Sequence, residues 1–138
     1  MKILVTGSEG YIGSVLTKKL EELGHEIIGY DIGYYSDCII SKVDENFKKI
    51  KKDLRDVEAE DLKHVDAIIH LAGLSNDPLG EFQPSLTEEI NYSATLKVAK
   101  LAKRMGVERF IYASSQSMYG VALDDAELDE DNSEKNPI

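Results

Sequence analysis

Short apolar runs alternate with segments of helical periodicity along the first third of the chain. The runs KILVT (Lys2–Thr6) and EIIGYD (Glu26–Asp31) are short and nearly continuous, so each predicts a buried strand. Between them, apolar residues recur at steps of three and four, which predicts a helix that stops at Gly24. The recurring apolar positions of this helix are Ile12, Val15, Leu16, Leu20 and Leu23.

The same alternation continues further along the chain. FKKIKKDL (residues 47–54) predicts a weaker third strand, and DVEAEDL (residues 56–62) predicts a short helix with Asp56 as its N-cap. DAIIHLAG (residues 66–73) predicts a strongly buried fourth strand, and RFIYAS (residues 109–114) predicts a fifth.

A long helix is predicted over residues 84–105, after a loop with the sequence LSNDPLGEF (residues 74–82). Pro84 suits a first helical turn, and Ser85 with Glu88 has the spacing of a capping box. The glycine that follows the helix is a stop signal. Apolar residues spread around more than one face of this helix, which is more than a one-sided surface helix requires.

Strands that alternate with helices, each strand nearly all apolar, predict a parallel sheet covered on both faces. Right-handed crossovers then give a doubly wound α/β sheet, a Rossmann fold, in the order 3-2-1-4-5. The 138 residues contain no repeat and no internal linker, so one domain over residues 1–138 is expected. Residues 121–138 have no clear period and are interpreted as loop.

The charge is uneven, and this excludes some classes of partner. The net charge is −10, but residues 124–134, DDAELDEDNSE, carry seven acids and no base, which leaves −3 for the rest. The basic run KKIKK (residues 48–52) fits the solvated side of an exposed strand. Without a basic face, nucleic-acid binding is not expected. No apolar run has the length of a membrane span, so no membrane partner is expected either.

Cysteine usage and the N-terminus bear on location. Cys38 is the single cysteine, so no internal disulfide can form, which suits a reducing cytosol. The start of the chain, MKILVTGSEG, has one lysine and a four-residue apolar run, which is not the pattern of a signal peptide. A cytoplasmic location is therefore predicted.

A glycine-rich turn joins the first strand to the first helix. TGSEGYIGS places Gly7, Gly10 and Gly13 there. In such a turn the first glycine allows a tight reversal, the second lets a pyrophosphate approach the backbone, and the third lets helix and strand pack closely. The free N–H groups of the helix N-terminus would face the phosphates. The strand–turn–helix context predicts a dinucleotide site.

Asp31 strengthens this prediction and favours one cofactor. It ends the second strand, 24 residues after Gly7, where a carboxylate can accept the hydroxyls of an adenosine ribose. The same charge would repel a 2′-phosphate, and no arginine follows in DIGYYSD. NAD is therefore predicted over NADP.

Taken together, these motifs resemble the extended short-chain dehydrogenase/reductases. The features that carry the resemblance are the glycine turn, Asp31, DLRD, HLAG, Asn91 and YASSQSMYG, in that order along the chain. More narrowly, they resemble the NAD-dependent epimerase/dehydratase branch that acts on nucleotide sugars. The resemblance implies an NAD-dependent oxidoreductase that works through a transient keto-sugar, with NAD as cofactor and a nucleotide sugar as substrate.

The resemblance also implies roles for individual residues. Ser115 matches the serine that hydrogen-bonds the substrate's reacting hydroxyl, and Ser114 is interpreted as a cap of the strand end. His70 is interpreted as a buried strand histidine rather than a base, and His25 and His64 as surface residues. No His, Cys and Asp cluster has metal-ligand spacing, so no metal is predicted. The implied cofactor-binding positions are Gly7, Gly10, Tyr11, Ile12, Gly13, Asp31, Asp53, Leu54, Leu71, Ala72, Gly73, Leu74, Ser75, Asn91 and Ser114.

The family's base is a tyrosine whose pKa is lowered by a lysine four residues later. None of the seven tyrosines, Tyr119 included, has a lysine at that distance. The 138 residues are therefore interpreted as the cofactor-binding, N-terminal part of a larger enzyme, inactive alone and ending before the C-terminal substrate region. An alternative is a non-catalytic module that senses NAD. By family resemblance a homodimer through helix 84–105 is also expected.

Overall fold

A five-stranded parallel sheet organises the protein, as seen in a computed structural model that describes residues 1–38, 47–75, 77–119 and 129–132. The order β3-β2-β1-β4-β5 confirms the predicted doubly wound topology. The third, fourth and fifth strands are shorter than the sequence patterns predicted. The strands are β1 (Lys2–Thr6), β2 (Glu26–Asp31), β3 (Lys48–Lys51), β4 (Ala67–His70) and β5 (Arg109–Tyr112).

The register of the strands brings their carboxyl ends to one edge of the sheet. Thr6 at the end of β1 is paired with Tyr30 of β2 on one side and with His70 of β4 on the other. His70 is in turn paired with Tyr112 at the end of β5. The chain segments that follow these strands therefore start from neighbouring points, and in parallel sheets such an edge is where ligands bind.

Apolar strand residues alternate between the two faces of the sheet, and both faces are buried at its centre. One face packs against the long helix and the other against the first helix. The apolar cluster under the long helix includes Leu4, Ile28, Ile68, Ala94, Val98 and Ala102. The apolar cluster under the first helix consists of Ile3, Val5, Ile27 and Ala67, with Leu20 packed against it.

The first helix, α1 (Tyr11–Glu22), does not use the buried face that its apolar period indicated. Gly13 and Thr17 are its buried residues, whereas Ile12, Val15 and Leu23 are mostly exposed. The cause is steric: Gly13 stands directly against the backbone of the glycine turn, so the helix presents its small residues to the sheet. Leu16 and Leu20 are half-buried beside them.

The long helix is confirmed over residues 84–105, but its middle is wider than an α-helix. It consists of α3 (Pro84–Thr87), a π-helical segment (Glu88–Ala94) and α4 (Thr95–Met105). Pro84 occupies the first turn, and Gly106 ends the helix with a φ of +77°, both as predicted. The predicted capping box of Ser85 and Glu88 is wrong, because Gln83 is the N-cap and Ser85 lies inside the helix.

Other short elements differ from the predictions. The stretch expected as one helix forms two 3₁₀ turns, Leu54–Asp56 and Ala59–Leu62, and the N-cap is Asp53 rather than Asp56. Asp53 Oδ1 accepts the N–H of Arg55 at 2.9 Å, which starts the first turn earlier. The predicted loop at residues 74–82 contains a short helix, α2 (Asp77–Phe82).

Some predictions fall on parts of the chain that the structure does not describe. Of the predicted loop at residues 121–138, only residues 129–132 are described, and they contain a 3₁₀ turn, Glu130–Asn132. Most of the acidic stretch at residues 124–134 lies outside the described residues.

Both edges of the sheet carry exposed side chains. β3 carries mostly exposed lysines, as predicted for the basic run. At the opposite edge, Ile111 and Tyr112 of β5 are half exposed, so the expectation that both faces are covered is wrong at this strand. Among the helices within the described ranges, none combines the length and apolar character that a bilayer crossing needs.

A matched pair of valine substitutions tests this packing. Val98 in α4 is fully buried, whereas Val15 in α1 is 69% exposed. Val98→Ala removes buried hydrocarbon and leaves a cavity, so it should lower the free energy of unfolding by about 2 kcal/mol. Val15→Ala should change that free energy by less than about 0.5 kcal/mol. Denaturant titrations followed by circular dichroism would measure both, and equal losses would contradict the burial of these faces.

Candidate functional site

The glycine turn after β1 is held by contacts that exclude side chains. Gly7 has a φ of +71° and donates its N–H to Tyr30 O at 2.9 Å. A Cβ at Gly7 would lie 2.8 Å from the backbone nitrogen of Ala72, and one at Gly13 would lie 2.1 Å from Gly7 O. Gly7 and Gly13 therefore hold the turn in place: Gly7 against the loop after β4, and Gly13 between α1 and the turn.

Gly10 has a different environment. A Cβ there would meet only Gly7 O, at 3.2 Å, and the φ of −74° suits any residue. Gly10 is the N-cap of α1 and offers no side chain to its free N–H groups, and the first turn contains no acid. The first helical hydrogen bond runs from Ser14 N to Gly10 O at 3.0 Å. The N–H groups of Tyr11, Ile12 and Gly13 come before it, so they have no acceptor within the helix. These amides and the bare backbone fit a phosphate group.

Asp31 lies at the end of β2, next to the glycine turn. Its Oδ2 accepts the N–H of Glu9 at 3.0 Å, and its Oδ1 accepts the N–H of Gly33 at 2.8 Å. The two backbone bonds fix the carboxylate, and each oxygen keeps a lone pair for a further donor. The arrangement can therefore receive hydroxyl groups.

Asp53 is engaged by its own neighbour. Its carboxylate accepts hydrogen bonds from Nε and Nη2 of Arg55 at 3.1 and 2.8 Å. Arg55 also donates from Nη1 to Glu89 of the long helix at 3.0 Å. These bonds to Arg55 hold the pKa of Asp53 below its usual value. Tyr30 donates to Asp53 O at 3.0 Å, and the Leu54 side chain lies in the core. Only the backbone of Leu54 can therefore face a ligand.

His70 connects β1, β4 and the long helix through buried hydrogen bonds. Its Nδ1 is 2.8 Å from Thr6 Oγ1, and its Nε2 is 2.9 Å from Thr95 Oγ1. Thr6 Oγ1 also accepts the N–H groups of Leu71 and Ala72, both at 3.2 Å, so its own proton is left for His70 Nδ1. This assigns the Nε2–H tautomer to His70. Burial lowers the pKa of His70 to about 4, so the ring is neutral at pH 7.

These bonds confirm that His70 is a buried strand histidine. Its ring also packs near those of Phe110 and Tyr112, with ring centroids 5.8 and 5.9 Å away. Of the other two histidines, His64 is exposed and His25 is half-buried.

A cleft of about 760 Å³ opens at the carboxyl ends of β4 and β5. Its walls come from the loop after β4, the first half of the long helix and the segment after β5. The cleft brings together these residues that the sequence had assigned to the site: Leu71, Ala72, Gly73, Leu74, Ser75, Asn91, Ser114 and Ser115.

Asn91 fixes one wall of this cleft. Its Oδ1 accepts the N–H of Leu74 at 2.7 Å, and its Nδ2 donates to Leu74 O at 2.8 Å. The amide therefore pairs with Leu74 as a neighbouring strand would. Asn91 lies in the π-helical segment, a feature that occurs often at functional sites.

Within the described ranges, the two serines after β5 bond to residues two to four positions away. Ser115 Oγ donates to Ser117 Oγ at 3.0 Å and accepts the N–H of Ser117 at 3.2 Å. Ser114 Oγ contacts Met118 Sδ at 2.9 Å, so it does not cap the strand end as expected. Both serines are exposed, and the Ser115 hydroxyl can exchange its partner for a ligand.

Sequence reasoning missed two residues of the site. Thr6 and Thr95 hold His70 and the loop after β4, yet a threonine in an apolar strand or in a helix gives no distinct signal. The assigned residues Gly7, Gly10, Asp31 and Asp53 lie around the ends of β1, β2 and β3, beside the cleft rather than inside it. Within the described ranges, no group of His, Cys, Asp and Glu is arranged to hold a metal ion.

Comparisons with known proteins agree with this geometry. A protein-family model described as the NAD dependent epimerase/dehydratase family matches residues 3–138. The UDP-glucose 4-epimerase of Klebsiella pneumoniae is 33% identical over 129 residues, which cover 87% of this chain and 93% of the relative. Protein CapI of Staphylococcus aureus is 32% identical over 133 residues, but the match covers 87% of this chain and only 39% of CapI.

A solved structure shows the same fold at higher coverage. MoeE5 in complex with UDP-glucose and NAD superposes with a TM-score of 0.82 at 28% identity. The match covers all of this chain and 42% of the MoeE5 chain. The chain thus spans about two-fifths of the length of CapI and of MoeE5.

The buried neutral state of His70 predicts a pH dependence of stability. Its pKa is about 4 in the folded protein and 6.5 ordinarily, so between these values the unfolded chain binds the additional proton. The free energy of unfolding should therefore fall as the pH drops from about 6.5 to 4, by roughly 3 kcal/mol from this group. Denaturant titrations at several pH values across this range would give the slope of the free energy of unfolding against pH. That slope should be smaller in His70→Asn and unchanged in His64→Asn. An identical slope in all three proteins would contradict the assignment.

Proposed function

The chain belongs to the NAD dependent epimerase/dehydratase family, and on this premise we propose that it binds NAD along the carboxyl edge of its sheet. It would form the cofactor-binding part of an oxidoreductase that acts on nucleotide sugars. The observation that carries the proposal is the open N-terminus of α1 at Gly10 beside the fixed carboxylate of Asp31. An anion site and a hydroxyl acceptor on adjacent strands match the pyrophosphate and ribose of a dinucleotide.

The adenosine half would lie at β1 and β2. The amides of Tyr11, Ile12 and Gly13 would hold the pyrophosphate, while Gly10 leaves the backbone bare to it. Asp31 would accept the ribose hydroxyls. Asp53 and the backbone of Leu54 would meet the adenine edge.

The other half of the cofactor would extend into the cleft. The loop from Leu71 to Ser75 would line the second ribose and the nicotinamide, and Ser114 would lie at the same wall. Asn91 would act mainly as a positioning residue, because both polar atoms of its amide already hold Leu74. Thr6 would support the same loop from below through its bonds to Leu71 and Ala72.

The proposed reaction oxidises a sugar hydroxyl to a transient ketone. NAD supplies the hydride acceptor when it is bound. Ser115 would hydrogen-bond the reacting hydroxyl after releasing Ser117. No tyrosine of the sequence has a lysine four residues later, so we expect a Tyr–Lys pair from outside these 138 residues to act as the base, and no turnover by this chain alone. The exposed Ser115 beside the cofactor loop favours an enzyme over a module that only senses NAD.

Calorimetric titration with NAD and NADP tests the proposal. NAD should bind more tightly, because the Asp31 carboxylate accepts ribose hydroxyls and repels a 2′-phosphate. Asp31→Asn keeps the size but removes the charge, and it should narrow the gap between the two affinities by about tenfold. Asp37→Asn is the matched control, since Asp37 is an exposed acid nearby. Failure of NAD to bind, or equal affinity for both dinucleotides in the unaltered chain, would refute the proposal.

The long helix gives a proposed contact between two copies of the chain. Tyr92 and Leu96 are exposed four residues apart, and Leu96 borders a groove with Lys97, Lys100 and Arg104. A second copy is the proposed occupant, because the same helix of that copy would cover the exposed Tyr92 and Leu96 side chains.

Light scattering over a concentration series would test this association. The unaltered chain should have the mass of a dimer or larger assembly, since covering exposed apolar side chains is favourable. Leu96→Glu should shift the mass towards the monomer, whereas Val15→Glu, the same change at an exposed position on α1, should not. A monomer at all concentrations would count against a homodimer.

A further inference from the structure

Four charged side chains lie together where β2 and β3 end, beside the proposed ribose position. They are Glu9, Asp31, Lys49 and Lys51, and we refer to them as the ribose-end charge cluster. Glu9 follows the glycine turn's first residues, and its N–H already bonds Asp31 Oδ2 at 3.0 Å. The backbone of Glu9 thus fixes Asp31 whatever its side chain is. The side-chain carboxylate of Glu9 is left for a separate role.

The Glu9 carboxylate lies over Gly33, just past Asp31. Its Oε2 is 3.2 Å from the point where a Cβ of Gly33 would stand, and its side chain is only 17% exposed. Its Oε1 forms an ion pair with Lys49 Nζ at 3.2 Å. Glu9 therefore brings a second negative charge next to Asp31 and at the same time engages a cation.

The two lysines reach this region because of the register of the sheet. Lys49 is paired with Gly29 of β2, and Lys51 with Asp31. Being two residues apart on β3, both lysines point to the same face. Lys51 Nζ lies 3.2 Å from the same Cβ position of Gly33 that the Glu9 carboxylate approaches. Lys51 Nζ thus lies at Gly33, two residues after Asp31, and Lys49 Nζ lies beside the Glu9 carboxylate.

Lysine ammonium groups beside an adenosine ribose would ordinarily bind a 2′-phosphate. Here the four residues hold two ammonium groups and two carboxylates, so their formal charges sum to zero. Without the Glu9 charge, the cluster would carry a net positive charge, and Lys49 would lose one of its acceptors.

Resting on the proposed NAD binding, we infer that Glu9 is a second specificity residue, which selects a 2′-hydroxyl over a 2′-phosphate by engaging Lys49 and adding its own charge. Asp31 alone does not account for the selectivity, because the two lysines oppose it. The ion pair is partly exposed, so its contribution to stability is small and its loss should leave the fold intact.

A double-mutant cycle with two dinucleotide probes tests this inference. NAD and NADP are titrated calorimetrically into the unaltered chain, Glu9→Gln, Lys49→Gln and the double variant. Glu9→Gln should raise the affinity for NADP relative to NAD about tenfold, and the double variant should lose most of that gain. The gain should also shrink as salt rises from about 50 to 500 mM, since it comes from charge. Thermal unfolding confirms that each variant is folded.

Lys48→Gln is the matched control. Lys48 lies on the same strand but points to the opposite face, so its substitution should leave the ratio of the two affinities unchanged. If NAD binds and Glu9→Gln leaves that ratio within about twofold, the inference is overturned while the proposed function stands. An equal gain in the double variant overturns it as well, because Lys49 would then have no part. If the unaltered chain binds no NAD, the proposed function and this inference fall together.

Discussion

The buried row of hydrogen bonds from Thr6 through His70 to Thr95 is the interaction on which the arrangement of the site depends. It joins β1, β4 and the long helix where the strands end and the site begins. Each ring nitrogen of the buried His70 bonds one threonine, so replacing Thr6 or Thr95 by an apolar residue would leave that nitrogen without this partner. Such a loss costs about 1–3 kcal/mol. Burial keeps the His70 ring neutral at pH 7, which lets Nδ1 accept from Thr6 while Nε2 donates to Thr95.

The loop after β4 is built outward from this row. Thr6 holds the start of the loop through the N–H groups of Leu71 and Ala72, and Asn91 holds Leu74 one helical turn before Thr95. Gly7 then stands against Ala72 so closely that no Cβ fits between them. The glycine turn, the loop and the long helix are thereby fixed relative to one another. The π-helical segment lies where Asn91 must point at the loop, while Val98 and Ala102 further along still pack on the sheet.

The fold could be predicted from the sequence because parallel strands bury both faces and so read as continuous apolar runs. β1 and β2 have the predicted bounds, and the strand order follows from the handedness of the crossovers. The period of α1 misled because Gly13 and Thr17, rather than larger apolar residues, set its packing distance. A local hydrogen bond set the start of the first 3₁₀ turn: Asp53 accepts the N–H of Arg55 and is the N-cap, where Asp56 was expected. Hydrogen bonds between distant segments, such as that of Asn91 with Leu74, have no periodic signal at all.

The two ends of the proposed cofactor path differ in how firmly they are fixed. At the adenosine end, Asp31 is held by two backbone N–H groups and Asp53 by Arg55, so the charges are fixed before any ligand arrives. At the other end, the hydroxyl of Ser115 is exposed, and among the described residues it bonds Ser117, two residues away. Fixed charges need no reorganisation when a ligand binds. They suit recognition of the adenosine part of a cofactor, whose structure does not change during a reaction. A hydroxyl that must exchange its partner suits the reacting end, where the ligand itself supplies the missing contact.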